Sequence, residues 1–210
     1  MTIRTTSTGA PRPLVRSRLR WRIVDIVVAA VLGVAAGLVF LAWNFGYQVP
    51  GALLEAVLPG LQGLVNGVWL FAGVLGGIII RKPGAALFTE VVAAVVSALV
   101  GNQWGGFLTI EAGVVQGLGA ELVLAVVLYS RWNAIIAILA GAAAGLFGAI
   151  NDLVIYYPGS GLTFALAYLL TSVVSGAVIA GLLSWLLARG LARTGALDRF
   201  ASGRDVAQRV

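Results

Sequence analysis

The stretch WRIVDIVVAAVLGVAAGLVFLAWNF, residues 21–45, decides the fold class of this chain. Its charged side chains are those of Arg22 and Asp25, both close to its start. An apolar run of about 20 residues is long enough to cross a bilayer as an α-helix. The stretch therefore predicts a membrane-spanning helix and an integral membrane protein.

The composition of the whole chain supports this class. The 210 residues have a mean hydropathy of +1.00 and are 10% charged, whereas a soluble domain carries about 25% charged residues. The chain has no cysteine and no histidine, which excludes disulfides and thiolate metal sites and removes the commonest general base. We therefore expect a protein that is not an enzyme and that holds no metal or cofactor.

Outward from the first stretch, the sequence contains further apolar runs of membrane-spanning length. With the first they make six, at Trp21–Phe45, Leu61–Ile80, Gly84–Gly101, Phe107–Tyr129, Asn133–Tyr156 and Leu162–Leu187. The sequence thus predicts an all-α integral membrane protein whose bundle of six transmembrane helices covers residues 21–188. A basic arm, 1–20, precedes the bundle and a basic tail, 189–210, follows it.

The basic residues lie on one side of these crossings. They precede or begin the first span, lie at Arg81, Lys82 and Arg131, or follow residue 188. The connections 46–60, 102–106 and 157–161 contain no lysine or arginine. Because basic residues accumulate in cytoplasmic connections, we expect both termini in the cytoplasm. We expect the basic arm to touch anionic lipid of the bilayer, and we expect no nucleic-acid partner.

The opposite, outer side collects aromatic rings, amides and carboxylates without cations. Such a set suits a flat, cationic, partly apolar ligand, because ring faces attract positive charge and amides can hydrogen-bond to ring nitrogens. The candidate ligand-binding residues on this side are Asn102, Gln103, Trp104, Glu111, Gln116, Asn151, Asp152 and Tyr156. Simpler interpretations are an interfacial aromatic belt for the tyrosine, a helix C-cap for Asn102 and a hydrated interface for the carboxylates.

Two more carboxylates, Glu90 and Glu121, lie deeper in spans three and four. The rise per residue of a helix puts them at comparable depth, where they could meet. They are predicted either to line the floor of the ligand pocket or to form a structural polar link. In an alternative function, they are the proton relay of a self-sufficient ion-coupled carrier.

A row of small residues, Ala29, Gly33 and Gly37, follows one face of the first span. Such rows let helices approach closely. We favour packing within the chain's own bundle, with docking of another membrane subunit as the alternative.

The sequence contains no GxxxxGK[ST] pattern, so we expect ATP hydrolysis to come from separate subunits. The connections are too short to hold a soluble catalytic domain. These features favour a substrate-binding or conducting subunit, with a ligand-free assembly subunit as a further alternative.

Four segments carry a family resemblance: WRIVDIVVAAVLGVAAGLVFLAWN (21–44), GVLGGIIIRKPGAALFTE (73–90), VSALVGNQWG (96–105) and GVVQGLGAELV (113–123). They resemble the substrate-binding S component of an energy-coupling factor (ECF) transporter, and most closely the YkoE family. The resemblance implies a six-helix S-component fold in the bacterial plasma membrane. It implies high-affinity capture of thiamine or its hydroxymethylpyrimidine precursor from the outer side. The implied partners are a membrane T component and cytoplasmic ATPase subunits.

For thiamine, the pocket chemistry assigns Trp104 and Tyr156 to stacking, and Glu111 and Asp152 to the charge of the thiazolium ring. The amides named above are assigned to the edge of the pyrimidine, and the two deeper carboxylates are second choices. Unlike the better-known stand-alone thiamine S components, this chain has no histidine, so their ligand contacts cannot be copied onto it. The sequence leaves the choice between thiamine and its precursor open.

Overall fold

The computed structural model of the chain describes residues 19–101 and 103–207. Within these ranges the regular secondary structure is entirely helical. The elements are α1 (Ile23–Gly46), α2 (Gln48–Val57), a 3₁₀ helix (Leu61–Trp69), α3 (Phe71–Ile80), α4 (Ala85–Val100), α5 (Gly106–Val126), α6 (Ala134–Ile155), α7 (Leu162–Ser175), a π-helical segment (Gly176–Leu183), α8 (Ser184–Arg193) and α9 (Ala201–Ala207).

The predicted all-α membrane bundle is confirmed, with differences in the length of its crossings. Helices α1, α5, α6 and the continuous helix Leu162–Arg193 are each long and apolar enough to span a membrane. The 3₁₀ helix and α3, with an angle of 41° between them, together reach the length and hydropathy of one further crossing, and we call this pair the second crossing. Helix α4 has 16 residues and is about 24 Å long, which is shorter than a hydrocarbon core of about 30 Å. The last crossing continues beyond the predicted end at Leu187.

The 3₁₀ part of the second crossing is held by a glycine at its start and by side chains of α7. Gly60 starts the 3₁₀ helix with a positive φ of 105°, a conformation that glycine adopts without steric cost. Hydroxyl groups of α7 then bond to its backbone. Ser175 Oγ accepts from the amide of Gly67 at 2.9 Å and donates to the carbonyl of Leu64 at 2.5 Å, while Thr171 Oγ1 donates to the carbonyl of Gly60. These bonds satisfy backbone groups that a regular α-helix would pair internally.

The bundle is packed through small residues and exposes large apolar ones. Ala93 and Ala140 are fully buried, whereas large side chains such as Val154 and Leu170 are exposed. This is the expected pattern for helices in lipid, where close backbone packing rather than the hydrophobic effect holds helices together. The row of small residues on α1, Ala29, Gly33 and Gly37, fits this pattern, because a Cβ on Gly33 would lie 2.7 Å from Val92 of α4. The favoured interpretation of that row, packing within this chain's own bundle, is confirmed.

The two ends of the bundle differ. We call the end formed by residues 47–60, 103–105 and 156–161 the aromatic end, and the end formed by 81–84, 127–133 and 194–207 the terminal end. All described lysines and arginines lie at the terminal end or in the helix ends next to it. A cytoplasmic location of the terminal end therefore stays a prediction from charge.

At the terminal end, Glu121 of α5 holds the start of α4. Its carboxylate accepts hydrogen bonds from the amides of Gly84 at 2.6 Å and Ala86 at 2.9 Å, and from the hydroxyl of Tyr129 at 2.6 Å. A carboxylate is favourable there because a helix N-terminus has unpaired N–H groups and a positive dipole end. This carboxylate therefore has a structural role.

The segment after α8 folds back onto the bundle. Leu197 and Phe200 are buried, and Ser202 Oγ donates to the carbonyl of Ile79 at 3.1 Å. The guanidinium of Arg22, paired with Asp25 at 2.7 Å, lies over the ring of Phe200. The first residues of the predicted basic tail thus form part of the folded domain.

Candidate ligand-binding site

A cavity of about 370 Å³ lies between the helices at the aromatic end. Its wall comes from α1, α2, the 3₁₀ helix, α4, α5, α6 and α7. None of the described residues that line it is a lysine or an arginine, and three are carboxylates: Glu55, Glu90 and Asp152. Such a cavity has the size and mixed polarity of a small-molecule site.

Half of the ten predicted site residues line this cavity. They are Glu90, Trp104, Gln116, Asp152 and Tyr156. The bundle thus brings together Glu90, which the sequence placed deeper in span three, and four residues that the sequence placed on the outer side.

Four aromatic rings surround the mouth of the cavity, and we call them the aromatic cluster: Tyr47, Trp69, Trp104 and Tyr156. The ring of Trp104 lies 5.7 Å from Tyr47, 6.4 Å from Trp69 and 5.5 Å from Tyr156, measured between centroids. The indole of Trp69 is held by a bond of 2.8 Å from Nε1 to Asn44 Oδ1. Ring faces and edges arranged in this way can enclose a flat ligand and stabilise a positive charge.

Glu90 lies at the inner part of the cavity and is fully buried. Its Oε2 accepts a hydrogen bond of 2.5 Å from the amide of Gly73, in the first turn of α3. The bend before α3 thus presents the N-terminus of a short helix to a carboxylate inside the membrane, where the helix dipole favours negative charge. Oε1 is buried and has no hydrogen-bond partner among the described residues, so Glu90 has an unused acceptor next to the cavity that it lines.

Asp152 belongs to a chain of hydrogen bonds along the opposite wall. The hydroxyl of Tyr168 donates to Asp152 Oδ2 at 2.7 Å, and Asn66 Nδ2 donates to that hydroxyl at 2.8 Å and to Ser172 Oγ at 3.0 Å. These partners fix the orientation of the carboxylate beside the cavity.

Gln103 lies next to the cavity and does not line it. Its amide donates to the hydroxyl of Tyr47 at 2.5 Å and accepts from Gln48 at 3.3 Å. Burial raises the pKa of Tyr47 above its ordinary value, so this hydroxyl stays protonated at neutral pH. Gln103 therefore ties the connection before α5 to the start of α2, and this connection carries Trp104 over the mouth.

Three predicted residues point elsewhere, and one is not described. Asn151 Nδ2 donates to Glu111 Oε2 at 3.1 Å, and neither side chain lines the cavity. Glu121 holds α4 at the terminal end and does not meet Glu90, because each carboxylate bonds to a different set of backbone amides. Asn102 lies outside the described residues. Ligand contacts of these four residues stay predictions.

Several residues line the cavity that the sequence did not single out as ligand-binding. They are Asn44, Tyr47, Gln48, Gln62, Asn66, Trp69, Ser97 and Tyr168. Most were visible as polar or aromatic groups on the outer side, but hydropathy gives depth and not the direction that a side chain faces. No group of three or more acidic residues that could hold a metal ion occurs in the described part of the chain.

Comparisons with known proteins agree with this architecture. The family described as the permease component of the ABC-type cobalt transport system matches residues 24–147. The YkoE protein of Bacillus subtilis (strain 168), provisionally named an HMP/thiamine permease, is 35% identical over 195 residues, covering 89% of this chain and 92% of that protein. A crystal structure of an S component of an ECF transporter superposes with a TM-score of 0.82 at 31% identity, covering 90% of this chain and 95% of the other.

The chain belongs to the YkoE family of ECF S components. It is therefore a transport protein rather than an enzyme, and a multi-pass protein of the bacterial plasma membrane. In this S component, the cavity at the aromatic end is the place where the helices leave room for a small molecule.

Proposed function

We propose that this S component binds thiamine in the cavity at the aromatic end and delivers it for import. The observation that carries the proposal is the combination of the aromatic cluster with the carboxylates of Glu90 and Asp152 in a cavity whose described lining has no basic residue. A cationic aromatic ligand complements both features.

The charge of the cavity favours thiamine over hydroxymethylpyrimidine. Glu90 is buried and Asp152 is half-buried at the cavity, and a carboxylate removed from water is costly unless it is protonated or compensated. The thiazolium ring supplies a compensating positive charge, whereas the neutral precursor supplies none. The relative from B. subtilis has both compounds in its name, so both are tested below.

The geometry supports a division of roles. Trp104 and Tyr156 stack on the ligand at the mouth, together with Tyr47. Asp152 faces the thiazolium charge. Glu90, with one free oxygen at the inner end, accepts a hydrogen bond from the amino group of the pyrimidine.

Energy for uptake comes from other subunits in this proposal. The chain has no P-loop pattern, so a membrane T component and cytoplasmic ATPase subunits would drive transport. The terminal end would face those cytoplasmic subunits, and the aromatic end would face the outside.

Calorimetry on the purified chain in detergent tests the ligand. We expect stoichiometric binding of thiamine, and binding of hydroxymethylpyrimidine that is weaker by at least about tenfold, because loss of one charge interaction costs about 1.4 kcal/mol or more. Asp152→Asn should weaken the binding of thiamine and leave the binding of hydroxymethylpyrimidine unchanged, so the two affinities should become more similar. Glu121→Gln is the carboxylate control at the terminal end, where Glu121 bonds to the start of α4, and it should leave both affinities unchanged.

The outcomes separate the alternatives. Equal or tighter binding of the precursor would contradict the charge argument, but it would still support the cavity as a ligand-binding site. Absence of binding by a folded sample would contradict the thiamine proposal altogether. Uptake by the chain alone in liposomes, driven by a pH gradient and lost in Glu90→Gln, would instead support the ion-coupled carrier.

A further inference from the structure

Helix α2 differs from the other helices at the aromatic end because it does not cross the bundle. It has 10 residues and a length of about 15 Å, half of what a membrane crossing needs. It connects α1 to the 3₁₀ helix, and Gly51 is its only described buried residue. Protein contacts alone therefore hold α2 weakly.

The two faces of α2 have different surroundings. Gln48, Gly51, Ala52 and Glu55 line the cavity. These positions are spaced by three, one and three residues, which places them on one face of a helix. Helix α2 is therefore one wall of the cavity.

The other face of α2 is an apolar stripe that continues the outer surface of α1. Phe45, Val49, Leu53 and Val57 follow one another at four-residue intervals, and their side chains are 74%, 68%, 65% and 77% exposed. A four-residue spacing keeps side chains on one side of a helix. Exposed rows of this kind mark contact with another apolar phase.

The bilayer is the apolar phase that this stripe can reach. Phe45 belongs to the last turn of the spanning helix α1, whose exposed side chains Val31 and Leu38 also face away from the bundle. The stripe is thus continuous with the lipid-facing surface of α1. Residues 46–60 contain no lysine or arginine, so this connection has no positive charge that would bind anionic headgroups, and its polar side chains Gln48 and Glu55 lie on the cavity face.

We propose that the stripe Phe45, Val49, Leu53 and Val57 inserts into the interfacial layer of the bilayer at the aromatic end, so that lipid holds α2 in place as a wall of the cavity. Amphipathic helices with this distribution lie in the membrane plane, with the apolar side at the boundary between headgroups and acyl chains. The inference concerns the lipid surface and does not depend on the identity of the ligand.

Spin labelling tests where α2 lies. The chain has no cysteine, so Leu53→Cys and Glu55→Cys each give one labelling site, on the stripe and on the cavity face. In lipid nanodiscs, the label at position 53 should collide mainly with dissolved oxygen, and the label at position 55 mainly with a water-soluble nickel chelate. Ser160→Cys, in the exposed connection after α6, gives the reference for a label in water.

Two results would overturn the proposal. The first is a label at position 53 that is as accessible to nickel as the one at position 160. The second is a label at position 53 that is inaccessible to both reagents, since protein, and not lipid, would then cover the stripe. The mass of the nanodisc particle shows whether that protein is a second copy of the chain.

Amide hydrogen exchange in nanodiscs tests whether lipid holds the helix. In the combined variant Val49→Ser, Leu53→Ser and Val57→Ser, the amides of α2 should exchange at least about tenfold faster, because three side chains lose their contact with lipid. Valine and serine have similar helix propensities, and the lower propensity of serine relative to leucine at position 53 is shared by the three leucine replacements in the control below.

A matched stripe on a spanning helix is the control. Leu162, Leu166 and Leu170 of α7 have the same spacing and are also exposed, and their replacement by serine should leave the exchange of α2 unchanged. Protected amides in α1 show that each variant is folded. Unchanged α2 exchange in the first variant, or equal acceleration in both, would contradict the proposal.

Discussion

The two oxygen atoms of Glu90 have different surroundings. Oε2 accepts from the amide of Gly73, and Oε1 is buried without a partner among the described residues. Replacing the carboxylate by an amide keeps the shape and one acceptor but removes the charge. A hydrogen bond to a charged group contributes about 1.5–3 kcal/mol, so Glu90→Gln should raise the Kd for thiamine about tenfold to a hundredfold, as measured by calorimetry.

Glu121→Gln is the matched control for that measurement. Its carboxylate bonds to amides at the start of α4 and to Tyr129, so the substitution should lower thermal stability and leave the Kd within about twofold. A loss of affinity equal to that of Glu90→Gln would contradict the assignment of the cavity floor to Glu90 alone.

Trp104 contacts each of the other three rings of the aromatic cluster. Its centroid lies within 6.4 Å of those of Tyr47, Trp69 and Tyr156. Because a cation over an aromatic ring gains about 0.5–2 kcal/mol and stacking area is lost as well, Trp104→Ala should raise the Kd for thiamine at least about tenfold. Trp132→Ala, which removes an indole at the terminal end, should leave the Kd unchanged; equal effects of the two would show that binding reports general stability.

At the scale of single residues, the sequence indicated at which level of a span a side chain lies but not in which direction the side chain faces. Glu111 and Gln116 both belong to the first half of α5, but five residues of a helix turn through about 140° relative to each other. Only Gln116 lines the cavity, while Glu111 bonds to Asn151. The direction depends on which helices pack together, and a hydropathy pattern does not contain that information.

Among the helices, the bent second crossing is the element that shapes the cavity. It contributes Gln62, Val65, Asn66 and Trp69 to the lining, and its bend exposes the amide of Gly73 to Glu90. The sequence predicted a single span over Leu61–Ile80, because the run is predominantly apolar and glycines are common in membrane helices. The 3₁₀ helix depends on hydroxyls of α7 that lie more than a hundred residues away in the sequence.

Ser175 is the hydroxyl that tests this dependence. Ser175→Ala removes the hydrogen bonds of Ser175 Oγ with the amide of Gly67 and the carbonyl of Leu64. Because a hydrogen bond contributes about 0.5–1.5 kcal/mol to stability, we expect a clearly lower midpoint of thermal unfolding for the chain in detergent. Ser184→Ala is the control, since Ser184 Oγ makes one long bond of 3.4 Å to the carbonyl of Phe71 and should matter less. Equal midpoints for the two variants would contradict a special role of α7 in holding the 3₁₀ helix.

For the whole molecule, the separation of charge between the two ends is the property that the sequence predicted most directly. Long apolar runs and the positions of basic residues are read without knowledge of packing, and the described basic residues all lie toward the terminal end. The cavity lies at the opposite end. The membrane orientation therefore decides which compartment supplies the ligand.

Cysteine accessibility in intact cells measures this orientation, because the chain has no cysteine of its own. Ser160→Cys places a thiol in the exposed connection at the aromatic end, and Ala196→Cys places one in the exposed segment after α8. Since basic connections stay in the cytoplasm, a membrane-impermeant maleimide should label position 160 in intact cells and position 196 only after lysis. Labelling of position 196 alone in intact cells would reverse the orientation, put the cavity on the cytoplasmic side and contradict capture of thiamine from outside.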